Sequence, residues 1–581
     1  VTLDLRDIGL LAERGRRGAL DPVAVVEHVL AGIAAAARPE AWLHVASRAE
    51  LEARARELAA LGEARATRPL YGVPFAVKDN IDVAGMPTTA GCPAYAYLPA
   101  RHATVVARLL DAGAIVVGKT HMDQFATGLV GTRAPHGPCR NAHHPEYVAG
   151  GSSSGSAVVV AEAAVSFALG TDTAGSGRVP AALNGVVGLK PTRGLVSLRG
   201  VVPACASLDC VSVFAHGCGG AARVLRVAAG GDEEDPFSRA AGTGAGPRPT
   251  FRFGVPAAAD LPELDDEGRA LFTSAVRRLV AAGGLEVPID FAPFRAVSAL
   301  LYEGPWVAER QAAVGDFVAA HPDAVDPVVR AIVDGASRLR ARDAYEGLYA
   351  LARLRRTIEP IWQGIDLLLV PTAPRAFRIA EVAAEPRRTN DLLGVCNNFV
   401  NLLDLAACVV PTGARASGVP FGVTLCAPAF SEDLLLDIGA RVIGELPPLP
   451  VHDGGRMLLA VVGAHLRGMP LEPELRACGG RFERPVETSA DYRLHALATS
   501  PPKPGLRRVR SGGVAIAAEV WSLPPEGFAR FIAGIPRPLA IGRLTLADGS
   551  EVAGFVCEPE ALLDAPDISL HGGWRAYLAR S

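Results

Sequence analysis

A chain of 581 residues, 49% hydrophobic and 20% charged, is long enough for two or more domains with large buried cores. The formal net charge of −3, with no run of one sign, excludes a surface built for nucleic acid and an acidic tail. The 10 cysteines stand far apart with no C-x-x-C pair, which excludes a disulfide framework and points to a reducing, cytoplasmic compartment.

Other absences narrow the reading. There is no H-E-x-x-H, and His143-His144 runs into Pro145 as a loop, so no metal site is expected. The N-terminal stretch has acids and arginines but no continuous apolar core, and so does not read as a signal peptide. The most apolar long window, around 157–169, is broken by Glu162 and is too short to span a bilayer, so no membrane partner is expected.

In chain order, 22–36 predicts a helix with Asp21 as N-cap and Pro22 in its first turn. Tyr71 to Val77 reads as a buried strand ending at Lys78, and 103–118 as helix, Gly turn and strand. Further strands are expected at 366–371, 408–411 and 419–425. Alternating strands and helices predict an α/β domain with a mainly parallel or mixed central sheet covered on both faces. The Gly/Pro-rich 239–249 reads as a loop or linker.

LPPLPV at 446–451 marks a boundary. Beyond it MLLAVVGAHLRGMPL, YRLHALATS, GGVAIAAEVWSLP, PLAIGRLTLADGSEVAGFVCE and GGWRAYLA read as short strands, with a hairpin at Ala-Asp-Gly. The expected plan is a catalytic domain at 1–445, a linker at 446–454 and a smaller β-rich domain at 455–581.

The stretch 150–180, GGSSSGSAVVVAEAAVSFALGTDTAGSGRVP, carries the chemistry. A phosphate loop would need G-x-x-x-x-G-K-[ST], and no Lys is present. The competing reading is a nucleophile, Ser176 in TAGSGR, where small neighbours let backbone N–H groups converge on an anion. A serine hydroxyl needs a base. Lys78, at a strand end in VKDN, can serve if burial lowers its pKa. Each residue alone reads more simply as a turn serine or a solvated lysine; the combination points to catalysis.

GGSSSGS, LGTDTAGSGRVPAALNGVVGLKPTRG and VKDN together resemble the amidase signature family of serine amidohydrolases. The resemblance implies a Ser–cis-Ser–Lys triad of Ser176, Ser152 and Lys78, with no metal and no cofactor. It also implies an oxyanion hole from the N–H groups of Thr173, Ala174, Gly175 and Ser176. Ser153 and Gly128 fall at substrate-side positions, and Asp172 at a supporting one. With Ala174 and Gly177 in the turn, and with LLYEGPWVAERQAAV, the chain is similar to the allophanate hydrolases of that family. In that segment the resemblance gives Tyr302 and Arg310 the substrate. Their spacing suggests one face of one helix, and a guanidinium fork suits a carboxylate. NNFVNLLD, 397–404, is expected as packing and pocket wall.

The tail resembles the C-terminal domain of the long allophanate hydrolases, a γ-glutamylcyclotransferase-like small β-barrel with helices. There His495 is the candidate for decarboxylation chemistry, and Glu519 and Glu558 are polar residues in or beside strands. A purely structural or binding role for the tail stays open. So do another small-amide amidase, an amidotransferase-like subunit, and a catalytically silent binding protein. The resemblance further implies allophanate as the small-molecule substrate, a homodimer, and urea carboxylase as functional partner.

Overall fold

A computed structural model describes residues 3–240, 242, 244–448, 457–523 and 525–580. The chain divides into two compact units, Val1–Ala245 with Thr250–His452, and Gly246–Pro249 with Asp453–Ser581.

The first unit is built on an 11-stranded mixed sheet. Its strands are β1 (Trp42–Val45), β2 (Pro74–Lys78), β3 (Ile115–Thr120), β4 (Phe167–Asp172), β5 (Val187–Lys190), β6 (Cys210–Ala215), β7 (Phe251–Pro256), β8 (Gly284–Ile289), β9 (Leu367–Pro371), β10 (Leu405–Ala414) and β11 (Pro420–Pro428). The order across the sheet is β1-β3-β2-β4-β6-β5-β10-β11-β9-β7-β8. β2 lies parallel between β3 and β4, and antiparallel pairs flank this trio. PFAVK and FALGTD are buried at every position, which is why they read as apolar runs without alternation.

The helix Ser154–Ala161 explains the apolar window at 157–169. Small or apolar on all sides, it is buried except at its last residue, and Glu162 caps it. Ala163 turns the chain at φ 54° into β4. The expected helix at 22–36 is Pro22–Ala34, with the Asp21 side chain accepting from Val23 N–H. Strands cover the expected 366–371, 408–411 and 419–425, the last two as the long pair β10–β11. Among the described residues no helix is long and apolar enough to cross a membrane.

The second unit holds β12 (Met457–Val461), β13 (Arg481–Glu487), β14 (Tyr492–Leu497), β15 (Lys503–Arg508), β16 (Ala517–Leu523), β17 (Leu539–Thr545) and β18 (Glu551–Cys557). Five of them form a sheet in the order β13-β16-β12-β18-β17, and β14–β15 is a separate ribbon. A bridge between Thr488 and Leu546 draws the two edge strands together at one end, giving a partly closed barrel. The hairpin expected at Ala-Asp-Gly joins β17 to β18, with Gly549 at φ 76°.

One expectation fails here. GGWRAYLA is not a strand: Trp574–Leu578 is a short helix entered from Gly573, with Trp574 buried. A single turn is too short to show a helical period, and its aromatic residues mimic strand composition. Residues 449–454 of the expected linker lie outside the described residues, as do 241 and 243 of the Gly/Pro-rich stretch.

Candidate active site

Lys78 is the last residue of β2 and is fully buried. Its Nζ donates to Ser152 Oγ and to Thr171 Oγ1, each at 2.7 Å. Burial lowers its pKa to about 7. Arg310 adds to the effect, while Asp123, Asp209 and Asp172 oppose it from farther off. Two other lysines are equally buried. Lys119 pairs with Asp79 at 3.4 Å and binds Thr88 and the Pro87 carbonyl. Lys190 binds the Pro191 carbonyl and the Cys210 thiol. Only Lys78 meets two hydroxyls.

Ser152 is presented by the loop before the helix Ser154–Ala161. Gly150 has φ 77°, and the Gly151–Ser152 peptide is cis, as the resemblance implied. A Cβ on Gly151 would collide with Asp123 Oδ2 and approach Gly131 N to 2.6 Å. Asp123 itself collects the N–H groups of Gly131 and Arg133. Ser153 is committed elsewhere: its hydroxyl donates to the Thr171 carbonyl at 3.1 Å and accepts the Thr171 N–H at 3.3 Å. It therefore fixes β4 against the serine loop and does not present its hydroxyl to a substrate.

Ser176 stands in the turn after β4. Asp172, at the end of the strand, accepts N–H bonds from Gly175 and Gly177 at 2.9 and 3.0 Å. It also takes a two-pronged bond from Arg178 at 2.9 Å. Burial would raise the Asp172 pKa, but the Arg178 charge and hydrogen bonds hold it below the ordinary range. Arg178 is in turn held by Asn397 and Asn401. The NNFVN segment is thus a polar clamp on the turn as well as packing. Gly177 is required by Ser212, whose Cβ would lie 2.5 Å from any Cβ placed there.

The turn departs from expectation at one amide. Gly175 N–H donates to Asp172, whereas those of Thr173, Ala174 and Ser176 meet no acceptor among the described residues. Ser176 Oγ donates to the Gly128 carbonyl at 3.4 Å. The Lys78–Ser152 contact is therefore made, and the Ser176 hydroxyl has to rotate toward Ser152 to complete a relay.

Tyr302 and Arg310 do not share a helix. Gly304-Pro305-Trp306 separates Ala292–Glu303 from Val307–Ala320, because proline cannot continue the first helix. The pair still meets: Arg310 Nη2 is 3.5 Å from the Tyr302 hydroxyl, and its guanidinium lies 5.6 Å from the ring centroid. Arg310 is buried and its Nη1 donates to Thr127 Oγ1 at 2.9 Å, yet among the described residues no carboxylate stands within salt-bridge distance, and Asp209 acts on it through space. Thr127 follows Phe125 and Ala126, both left-handed at φ 49° and 52°. Such strain in non-glycine residues is typical of functional loops, and this loop delivers Thr127 and Gly128 side by side.

Sequence reasoning missed Thr171, Thr127 and Asp209, because a hydroxyl or carboxylate inside a strand or loop carries no motif. In the second unit, His495 Nδ1 pairs with the Ala565 carbonyl at 3.0 Å, and its buried Nε2 meets no partner among the described residues. Glu519 is held by Arg467, Arg575 and Trp521. Glu558 lies 3.7 Å from Arg537. A better-equipped group was overlooked: His465 stacks on Phe555 at 5.2 Å and meets Glu474 at 3.1 Å. It lines a small cavity with Lys503. Burial lowers its pKa against the pull of Glu474.

A weakly basic buried amine, two serines, a turn of backbone amides and a buried guanidinium that, among the described residues, has no carboxylate within salt-bridge distance make a site for attack on the carbonyl of an amide. This fold and site define a hydrolase of C–N amide bonds. The chain belongs to the amidase family: residues 24–436 match the family model for amidases, and 457–579 match that for the allophanate hydrolase C-terminal domain. The chain is 43% identical over 551 residues to urea amidolyase of Saccharomyces cerevisiae, covering 89% of itself and 30% of that protein. A second urea amidolyase, from Lachancea kluyveri, is 44% identical over 542 residues, with 88% of this chain and 30% of that protein covered. The chain thus spans under a third of the yeast relatives it matches. The structure of Kluyveromyces lactis allophanate hydrolase superposes with a TM-score of 0.75 at 40% identity, over 97% of this chain and 98% of that one.

Proposed function

We propose that the chain hydrolyses the terminal amide of allophanate, with Ser176 as nucleophile, Ser152 as relay and Lys78 as base. The observation that carries the substrate is Arg310, a buried guanidinium with the Tyr302 hydroxyl beside it and, among the described residues, no carboxylate within salt-bridge distance, Asp209 acting on it only through space. An unpaired buried cation is costly, and a substrate carboxylate supplies the missing partner by a forked, charge-assisted contact.

Neutral Lys78 takes the Ser152 proton as Ser152 takes that of Ser176, and Ser176 Oγ bonds to the terminal carbonyl carbon. The oxyanion faces the N–H groups of Thr173, Ala174 and Ser176. As the C–N bond breaks, Ser152 returns a proton to the nitrogen, which leaves as ammonia. Water enters by the same relay and frees Ser176, giving N-carboxycarbamate. Loss of CO2 from that product falls to the second unit, where the setting of His465 favours it over His495. The carbamate then decays to ammonia and CO2. A urea-carboxylating enzyme would supply the substrate. A homodimer in the cytoplasm is the expected setting, and light scattering of the purified protein tests the dimer.

The test is ammonia release from allophanate, malonamate and a neutral amide, with wild type and Ser176→Ala. Activity on allophanate that disappears in the variant is expected. Turnover of the neutral amide alone would leave the nucleophile standing and remove Arg310 as the carboxylate anchor.

A further inference from the structure

Asp209 makes no hydrogen bond in the relay, yet it is buried, and among the described residues no cation stands within salt-bridge distance of it, although its charge acts on Arg310 and Lys78. One oxygen takes the Thr173 hydroxyl and the Cys205 N–H; the other takes the N–H groups of Ala204 and Cys205 at 2.8 and 3.2 Å. Asp209 thus joins the first residue of the amide turn to the segment Ala204–Ser207.

That segment reaches onward to the substrate helix. Cys205 Sγ donates to the Trp306 carbonyl at 3.5 Å. The N–H and hydroxyl of Ser207 both donate to Glu309, at 2.9 and 2.5 Å. Trp306 precedes the helix Val307–Ala320, and Glu309 stands next to Arg310. From the other side Arg193 holds the Ser207 carbonyl at 2.6 Å and Asn401 holds that of Leu208 at 2.9 Å. A cavity of about 200 Å³ lies against the segment, lined in part by Pro203, Ala206, Asp209 and Phe237. Cys205 and Leu208 pack into the core, while on the open face the polar ties add to what holds the segment.

We propose that Asp209 is a positioning residue that ties the amide turn at Thr173 to the helix carrying Arg310, so that filling the carboxylate site and ordering the oxyanion site are coupled. This rests on the reading of Ser176 and Arg310 given above. The three links are separately addressable. Thr173→Val removes the hydroxyl with little change of shape, Asp209→Asn alters the middle, and Ser207→Ala cuts the far end. Thr173→Ser restores the hydroxyl and serves as the rescue.

The experiment uses full-length protein and reads kcat and KM on allophanate, with the rate of Ser176 modification by an alkyl fluorophosphonate. Thr173→Val and Ser207→Ala are each expected to lower kcat about 10- to 100-fold, the range of a small misplacement at a reacting centre. The double variant should be no slower than the slower single variant, since both break one tie. Thr173→Ser should recover most of the kcat that Thr173→Val loses. Losses that multiply in the double variant, or a Thr173→Val protein with wild-type kcat, would overturn the tie.

Wild-type protein that the phosphonate leaves unmodified, and that releases no ammonia, would instead overturn the functional reading. Hydrogen exchange then still decides the tie. Asp209→Asn should speed exchange at 204–209 and at 307–311 together; faster exchange at only one of them refutes it. Where Thr173→Val loses its cooperative melting, Thr173→Ala, which also removes the hydroxyl, takes its place in the comparison.

Discussion

Replacing Lys78 by Met should change how stability depends on pH. Lys78 is fully buried, and its pKa falls from an ordinary 10.5 to about 7, mainly through burial. At about 1.4 kcal/mol per pH unit, that fall corresponds to roughly 5 kcal/mol against folding at neutral pH and below. The sign follows from proton counts. Between about 7 and 10.5 the unfolded chain holds the lysine proton and the folded chain does not, so stability rises with pH across that window and the penalty is gone above it. Lys78→Met keeps the length of the side chain and removes the titration. It also strands the Ser152 and Thr171 hydroxyls, at about 1–3 kcal/mol each. Absolute stabilities are therefore less telling than slopes. Guanidinium titrations from pH 6 to 10, on both proteins, isolate the difference. Wild type should gain roughly 3–5 kcal/mol relative to the variant between these limits. Parallel curves would mean that Lys78 stays protonated in the folded protein, and the base assignment would fall.

The same pKa predicts that kcat/KM rises with pH through about 7 as Lys78 becomes neutral; a profile flat from pH 5.5 to 9, with chemistry rate-limiting, contradicts it. Arg310→Met should raise KM for allophanate about 100-fold, the equivalent of one charge-assisted contact, while a neutral amide is spared. Asp172→Asn leaves Arg178 buried without its carboxylate and should lower stability by roughly 3–5 kcal/mol, read from the unfolding midpoint. In the second unit, His465→Asn should slow CO2 release while ammonia from the first step continues. His495→Tyr should alter neither rate, and a loss confined to that variant would return the role to His495.

Some of this was legible in the sequence for identifiable reasons. Lys78, Ser152 and Ser176 announce themselves because each sits where the backbone must do something unusual: a strand end, a paired-glycine loop, a turn that admits no Cβ at 177. Burial of whole strands made β2 and β4 visible as apolar runs. Thr171 was invisible because a threonine in a strand is ordinary until a lysine from the next strand reaches it. The break at Gly304-Pro305 was in plain view, but the spacing of Tyr302 and Arg310 matched a continuous helix, and spacing overrode the proline. His465 lay in a stretch read as a strand, and its partners Phe555 and Glu474 are distant in the chain or on another element. RFERPVE, the edge strand β13, mixes charge with proline and escaped notice for that reason.

The groups proposed for bond breaking and those proposed for choosing the substrate come from different parts of the chain. Lys78, Ser152 and Ser176 are fixed by β2, β4 and the turns beside them. Tyr302 and Arg310 arrive on two helices spliced between β8 and β9, joined by a breakable Gly-Pro corner. This separation lets the proposed preference for an acid change on one segment, with Ser207 and Glu309 as the tie that must be kept. Exchange of residues 292–320 for the matching segment of a relative that takes an uncharged amide would alter which molecules are accepted, and the acyl chemistry would keep its rate only where the incoming segment still offers Ser207 a carboxylate at position 309. A lineage holding this architecture can therefore explore new diets of nitrogen by editing one loop-bounded cassette.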